Sequence, residues 1–167
     1  RTDYDLSSHE KVSGESMEYL DPVTNEKYIP YVIEPSVGVD RLMLSILCDA
    51  YNKESLEDGS EREVLKLHPY LAPYKVAILP LIKKRHSEKA IDVYKILSKE
   101  FSVSYDESGS IGKRYRRQDA IGTPFSLTVD DNTIDNGTVT IRDRDTMEQV
   151  TLKLEEVIPY IEERIKF

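Results

Sequence analysis

The chain has 167 residues, 31 Asp or Glu against 23 Lys or Arg, a formal net charge of −8, and 39% hydrophobic content. That balance excludes a cationic surface spread over the whole molecule, while the apolar content suffices for the core of one ordinary domain plus part of another. The single cysteine, Cys48, excludes an internal disulfide and a cysteine metal cluster, and no apolar run is long enough to predict a bilayer span or a secretory leader.

In chain order, Asp21-Pro22-Val23-Thr24-Asn25-Glu26 reads as a turn between two strands. Tyr31-Val32-Ile33 then reads as a buried apolar strand that passes through Glu34-Pro35-Ser36-Val37 and a tight turn at Gly38 into a helix. The stripe Val39, Leu42, Met43, Ile46, Leu47 and Ala50 has helical spacing, and Cys48 on that helix is expected as a packed structural thiol. Arg41 lies in the first turn on the side away from the stripe, where its guanidinium can meet a ligand. Gly38 permits close backbone approach, and the amides of a helix start favour anionic groups. The same pattern also describes an exposed arginine on a packed helix. The polar, acidic stretch from Asn52 to Glu63, with Gly59 inside it, is expected as a loop or linker, and Leu65 to Pro73 as a bridge.

Downstream, an apolar run from Val76 to Ile82 precedes a helix with Ala90, Val93, Tyr94, Leu97 and Phe101 on one face, and Val103 to Tyr105 returns as a short strand. A second helix starts within Ser108 to Gly112, with Ser108 or Ser110 available as cap, and Gly122-Thr123-Pro124 stops it before a strand at Phe125 to Val129. Asp135-Asn136-Gly137 reads as a hairpin turn between alternating runs at Val129 to Thr133 and Thr138 to Arg142. Met147 to Leu152 gives a last strand, and Val157, Ile158, Ile161 and Ile165 give a closing helix that tolerates Pro159 only in its first turn. The order βαβαβββα predicts an α/β fold with a mixed sheet of about five strands covered by helices.

Residues 1–72 hold 7 basic and 15 acidic residues, whereas residues 73–167 hold 16 of each, so the later part carries no general repulsion toward phosphate. Within it Lys113, Arg114, Arg116 and Arg117 stand against Asp119 in a local basic patch beside a helix start; such a patch serves either as a solvated helix face or as a phosphate site. His9, His68 and His86 have no ligand spacing, His68 before Pro69 reads as structural, the tyrosines are scattered as packing residues, and no metal site in protein side chains is predicted.

Glu34-Pro35-Ser36-Val37-Gly38-Val39-Asp40-Arg41 resembles the third signature motif of the class II aminoacyl-tRNA synthetases in the form used by the glycyl-tRNA synthetase family. Further segments occur in that family's order: Arg1 to Leu6, Leu67-His68-Pro69 with Leu71-Ala72-Pro73, Gly109 to Asp119, Ile121-Gly122-Thr123-Pro124, and Val139 to Asp145. The resemblance is to the C-terminal portion of the dimeric bacterial type. It implies the end of a catalytic domain in residues 1–60, its final strand-helix part, then a linker in 61–73 and a complete anticodon-binding domain in 74–167. It also implies a cytoplasmic homodimer without membrane attachment. A chain that begins on Arg1, without the motifs that class II enzymes place earlier, is expected to be a fragment inactive by itself.

The activity so implied is ATP-dependent attachment of glycine to tRNA(Gly) through glycyl-adenylate, with ATP entering as its Mg²⁺ complex. Such chemistry rests on positioning and charge stabilisation rather than on a protein nucleophile. The resemblance assigns Arg41 to catalysis at ATP, Gly38, Val39, Asp40 and Arg41 to the nucleotide, and Glu34, Pro35, Ser36, Val37 and Gly38 to glycine, with Glu34 suited to its ammonium. Glu34 also reads as a hydrogen-bonded strand-end carboxylate and Asp40 as a first-turn acid favoured by the helix dipole. For tRNA the expected exposed residues are Lys113, Arg116, Arg117, Arg142 and Arg144, although Asp143 and Asp145 equally make the last two part of an alternating ion-pair strip. Two further readings are a non-catalytic tRNA-binding or polymerase-accessory module with the same domain, and a nucleotide-binding regulatory protein resting on Gly38 and Arg41 alone.

Overall fold

The computed structural model of the chain describes residues 2–166; Arg1, first in the earliest family-like segment, lies outside them. The chain divides into two compact units at Arg41/Leu42. The first holds helix α1 (Tyr4–Ser13), ended by Gly14 in left-handed conformation, and a two-residue ribbon of β1 (Tyr19–Leu20) and β2 (Lys27–Tyr28). The expected turn closes that ribbon, with Asp21 Oδ1 accepting from the Val23 and Thr24 amides. The strand expected at Tyr31–Ile33 is absent, and residues 29–38 are irregular. Pro30 and Pro35 bracket it without N–H donors, no described strand pairs with it, and Ile33 is 92% exposed.

Helix α2 (Val39–Ala50) forms as its periodicity predicts, but only Ala50 of its stripe is buried, with Val39, Leu42 and Met43 exposed. Cys48 is exposed too, so its thiol is not packed. Ala50 runs directly into an antiparallel hairpin of β3 (Tyr51–Ser55) and β4 (Glu61–Leu65), where a loop was expected. Its polarity conceals a buried face: Arg62 and Val64 point inward while Glu61 and Glu63 point out, and the inward cation is satisfied by ion pairs rather than apolar packing.

The rest of this unit is a three-layer sandwich. Strands β5 (Val76–Pro80), β6 (Val103–Tyr105), β7 (Phe125–Val129), β8 (Thr138–Asp143) and β9 (Gln149–Lys153) lie in the order β6-β5-β7-β8-β9, with β6, β5 and β7 parallel and β8 and β9 antiparallel to their neighbours. Helix α3 (Lys83–Leu97) joins β5 to β6, and α4 (Ile111–Ile121) carries the chain back past β5 to β7. The two crossovers run in opposite directions across the sheet, and since parallel crossovers are right-handed as a rule, these helices fall on opposite faces. Strand alternation follows: Val76, Ile78, Phe125, Leu127, Val139 and Ile141 meet Ala90, Val93 and Leu97 of α3 and Val157 and Ile161 of α6 (Val157–Ile165). Ser126, Thr128 and Arg142 point to the α4 side, with Ser126 opposite Arg142 in register.

Two turns depend on glycine. Gly122 ends α4 at φ 82°, and a Cβ there would come within 2.9 Å of the Leu65 carbonyl oxygen. Gly137 at φ 68° ends a six-residue helix, α5 (Asp131–Asn136), so the expected hairpin at Asp135-Asn136-Gly137 and strand at Val129–Thr133 do not form. A capping box decides this: Asp130 Oδ1 accepts from the Thr133 amide at 3.1 Å, and Thr133 Oγ1 accepts from the Asp130 amide at 3.1 Å. Buried His86 holds α3 by accepting from the Ile82 amide through Nδ1 at 3.0 Å and facing Asp131 through Nε2 at 2.9 Å. Pro159 falls in the first turn of α6, as predicted.

Candidate nucleic-acid interface

In an open α/β sheet, ligands gather outside the carboxyl ends of the strands where successive crossovers diverge. Here that point lies between β5 and β7, and α4 starts beside it at Ser110. From there an open groove of about 760 Å³ runs between α4 and the β8–β9 hairpin, lined by Ser110, Gly112, Lys113, Tyr115, Arg116, Arg117, Arg142, Met147 and Gln149. Three of the five residues expected to meet RNA stand exposed or half-exposed on one helical turn of it. Lys113 is solvent-exposed and makes no ion pair among the described residues; the side chains of Arg116 and Arg117 are 41% and 46% exposed. Arg117 is directed by Asp106, with Nη2 2.6 Å from Oδ2, and also donates to the Ser108 carbonyl.

Arg142 and Arg144 are not exposed, contrary to expectation. Arg142 is 5% exposed because its place in the β8 alternation turns it under α4, where Nη1 and Nη2 fork onto Asp119 at 2.8 and 3.1 Å. Its guanidinium carbon lies 4.9 Å from the centre of the Tyr115 ring, and Tyr115 is pinned to Thr128 by a 2.6 Å hydroxyl contact. Arg142 therefore belongs to the groove floor. Arg144 is 2% exposed and structural: it forks onto Asp145 and donates to the carbonyls of Gly122 and Leu67, joining the end of α4 to the segment before β5.

Asp119, fully buried, is the centre of this arrangement. Besides Arg142 it accepts from Arg62 Nη1 at 3.2 Å, and Arg116 Nη1 stands 3.8 Å from the same Oδ2. Arg62 is anchored from behind by Glu54 at 2.6 Å and by the Arg144 carbonyl at 2.8 Å. Arg114, grouped in the sequence with the basic patch, is buried and donates to the carbonyls of Pro80 and Gly109, so it fastens α4 to the strand ends.

Beside the α4 start, Glu107 accepts from Lys83 at 2.5 Å and from the Ser87 and Tyr105 hydroxyls at 2.9 Å each. The Lys83 ammonium first, then the two hydroxyls, hold its carboxyl down to about 2, and Glu107 in turn raises Lys83. Tyr115, Asp119 and Arg62 were not singled out by sequence as site residues. The signal for the first two was the helical step from Gly112 through Tyr115 and Arg116 to Asp119; for Arg62 the sequence carries no signal beyond a cation between acids.

The residues expected at a nucleotide lie in the first unit. Glu34, Pro35, Ser36, Val37 and Gly38 are exposed in irregular backbone, and Val39, Asp40 and Arg41 form the exposed first turn of α2. Gly38 is not in the left-handed region, and a Cβ there would meet only the Arg41 Cβ at 4.0 Å. Packing within the chain does not require glycine at that position. Among the described residues no three His, Cys, Asp or Glu side chains are grouped to hold a metal ion, and no helix is long and apolar enough to cross a membrane.

Comparison with known proteins matches residues 75–164 to the anticodon binding domain family. The chain is 61% identical over all 167 residues to a glycine–tRNA ligase of Clostridium kluyveri, and 60% identical over 167 residues to that of Caldanaerobacter subterraneus subsp. tengcongensis. It spans 36% of the length of each of these curated relatives. Among solved structures, the RNA binding domain of threonyl-tRNA synthetase from Cryptosporidium parvum Iowa II superimposes with a TM-score of 0.55 at 29% identity, covering 59% of this chain and 25% of that one.

Proposed function

Because the chain belongs to the anticodon-binding-domain family, we propose that the groove between α4 and β8–β9 receives the anticodon loop of a tRNA. The observation that carries this reading is the meeting, in one open groove, of the cations Lys113, Arg116 and Arg117 with an aromatic–guanidinium floor of Tyr115 and Arg142. Phosphates pair with the cations and position the RNA, while an unstacked base has a flat partner on the floor. Arg144 has no part in this contact.

The full-length protein to which the chain corresponds is, in this proposal, a glycine–tRNA ligase that joins glycine to tRNA(Gly) through glycyl-adenylate. Its similarity over the whole chain to proteins of that name supports the assignment. The glycine carboxylate attacks the α-phosphorus of ATP, presented with Mg²⁺, and pyrophosphate leaves; a hydroxyl of the terminal tRNA ribose then attacks the glycyl carbonyl and AMP leaves. Residues 1–60 supply the end of the catalytic domain, 61–73 a linker that contains β4, and 74–167 the anticodon-binding domain. Arg41 stabilises charge on the nucleotide with Gly38, Val39 and Asp40 beside it, and Glu34 to Gly38 border glycine, where the space above Gly38 suits a close ligand. The active protein is a cytoplasmic homodimer, and the 167-residue chain alone does not activate glycine.

Fluorescence anisotropy of the chain with a glycine tRNA transcript and with an anticodon-substituted copy tests the first proposal. Tighter binding of the former is expected, and equal affinities would leave phosphate contact without anticodon reading. In the full-length protein, Arg41→Ala is expected to slow glycine-dependent pyrophosphate exchange about 100-fold. Unchanged exchange would remove Arg41 from the nucleotide site.

A further inference from the structure

The residue that holds the groove floor from behind lies outside the segment matched to the anticodon-binding domain. Arg62 is carried by β4, whereas the matched segment begins at residue 75. Its side chain is fully buried and spans two acids, Glu54 on the adjacent strand of its own hairpin and Asp119 on α4. Asp119 in turn fixes both guanidinium nitrogens of Arg142, and Arg142 lies against Tyr115. The chain of contacts is therefore Glu54–Arg62–Asp119–Arg142–Tyr115, from the hairpin to the surface offered to a base. The hairpin borders the groove as well, because Met147 lines both the groove and the depression along Glu54 to Asp58.

We propose that Arg62 is a positioning residue for anticodon reading, acting through Asp119 to set the place of Arg142 in the groove floor. The inference rests on the anticodon-binding reading of that groove. The geometry argues for a positioning role over simple cohesion. Arg142 uses both terminal nitrogens on Asp119, so its orientation is that of the carboxylate plane; Arg62 on Oδ2 is the second strut of that plane. Without Arg62, Oδ2 is open to Arg116, which already stands 3.8 Å away, and the carboxylate can turn toward it. Arg142 would turn with it, and the base would lose its fitted floor while the phosphate-facing Lys113 stayed where it is. The surroundings of Asp119 then decide which RNA is preferred more than how strongly any RNA is held.

The test uses the 167-residue chain with Arg62→Met and Arg62→Lys beside the unaltered sequence. Binding is measured to the glycine tRNA transcript and to its anticodon-substituted copy across a salt series, and folding is followed by thermal unfolding. Arg62→Met is expected to reduce the ratio of the two affinities about tenfold with the salt slope unchanged, and Arg62→Lys, which keeps the charge but not the fork, to reduce it about threefold. A ratio as large as that of the unaltered chain in Arg62→Met overturns the positioning role. So does a loss of affinity shared equally by both RNAs, which would mark a purely structural residue. If Arg62→Met does not fold, Arg62→Lys decides: an undiminished ratio overturns the inference and a reduced one supports it. If the unaltered chain itself binds both RNAs equally, the anticodon reading of the groove fails first, and this inference with it.

Discussion

Asp119 puts a single carboxylate against the guanidiniums of Arg62 and Arg142, with Arg116 at the margin. Removing it leaves the buried Arg142 guanidinium without a carboxylate and Arg62 with Glu54 alone, so Asp119→Ala is expected to cost about 3–5 kcal/mol of stability in urea unfolding. A loss below about 1 kcal/mol, the range of exposed pairs, would mean that water reaches the cluster. Glu107 makes a different prediction. Its pKa in the folded chain, about 2, lies below its ordinary value of 4.5, so its contribution is complete above the ordinary value and disappears as pH falls from about 4.5 toward about 2. Side-chain NMR should find Glu107 still ionised at about pH 3.5, where an unperturbed Glu is mostly protonated. Lys83→Met should move its midpoint upward, since the lysine is the largest cause; an unmoved midpoint would transfer the effect to Ser87 and Tyr105.

At the level of elements, local signals and tertiary packing can be weighed separately. Gly122→Ala places a Cβ 2.9 Å from the Leu65 carbonyl oxygen at a left-handed φ, and a destabilisation of about 1–3 kcal/mol in thermal unfolding is expected. The five-stranded sheet, α2, α3, α4 and α6 were legible because their periods are regular, and the end of α4 because Gly122 and Pro124 mark it. Helix α1 was not read from the sequence, and three readings failed. Asn136-Gly137 suits a hairpin turn and a helix end equally well, and the choice was made upstream by the Asp130–Thr133 box. The β3–β4 hairpin escaped because its buried face holds Arg62 where a strand pattern calls for an apolar residue. Tyr31–Ile33 reads as a strand, yet a strand exists only with a partner, and none of the described strands pairs with it. In the groove, the exposed cations of α4 were legible from their clustering. The burial of Arg142 and Arg144 was not, since it follows from which face of the sheet α4 covers.

For the whole molecule, a net charge of −8 coexists with a cationic groove because the excess of acid is confined to residues 1–72. RNA affinity should therefore fall with salt, and Lys113→Ala should lower the slope of log affinity against log salt by about one. Arg117→Ala should change it less, because that guanidinium is already bound to Asp106; an equal change would mean that the pair opens when RNA arrives. The sheet also has two margins. One is β6, three residues long, and the other is β9, which shows Gln149, Val150 and Thr151 to solvent and ends on Lys153 beside Glu155 and Glu156. Fibril growth copies a long, flat, uncharged border strand by strand, and this molecule offers it only three residues on one side and, on the other, a strand that ends in the charges of Lys153, Glu155 and Glu156, so crowding would find little to template.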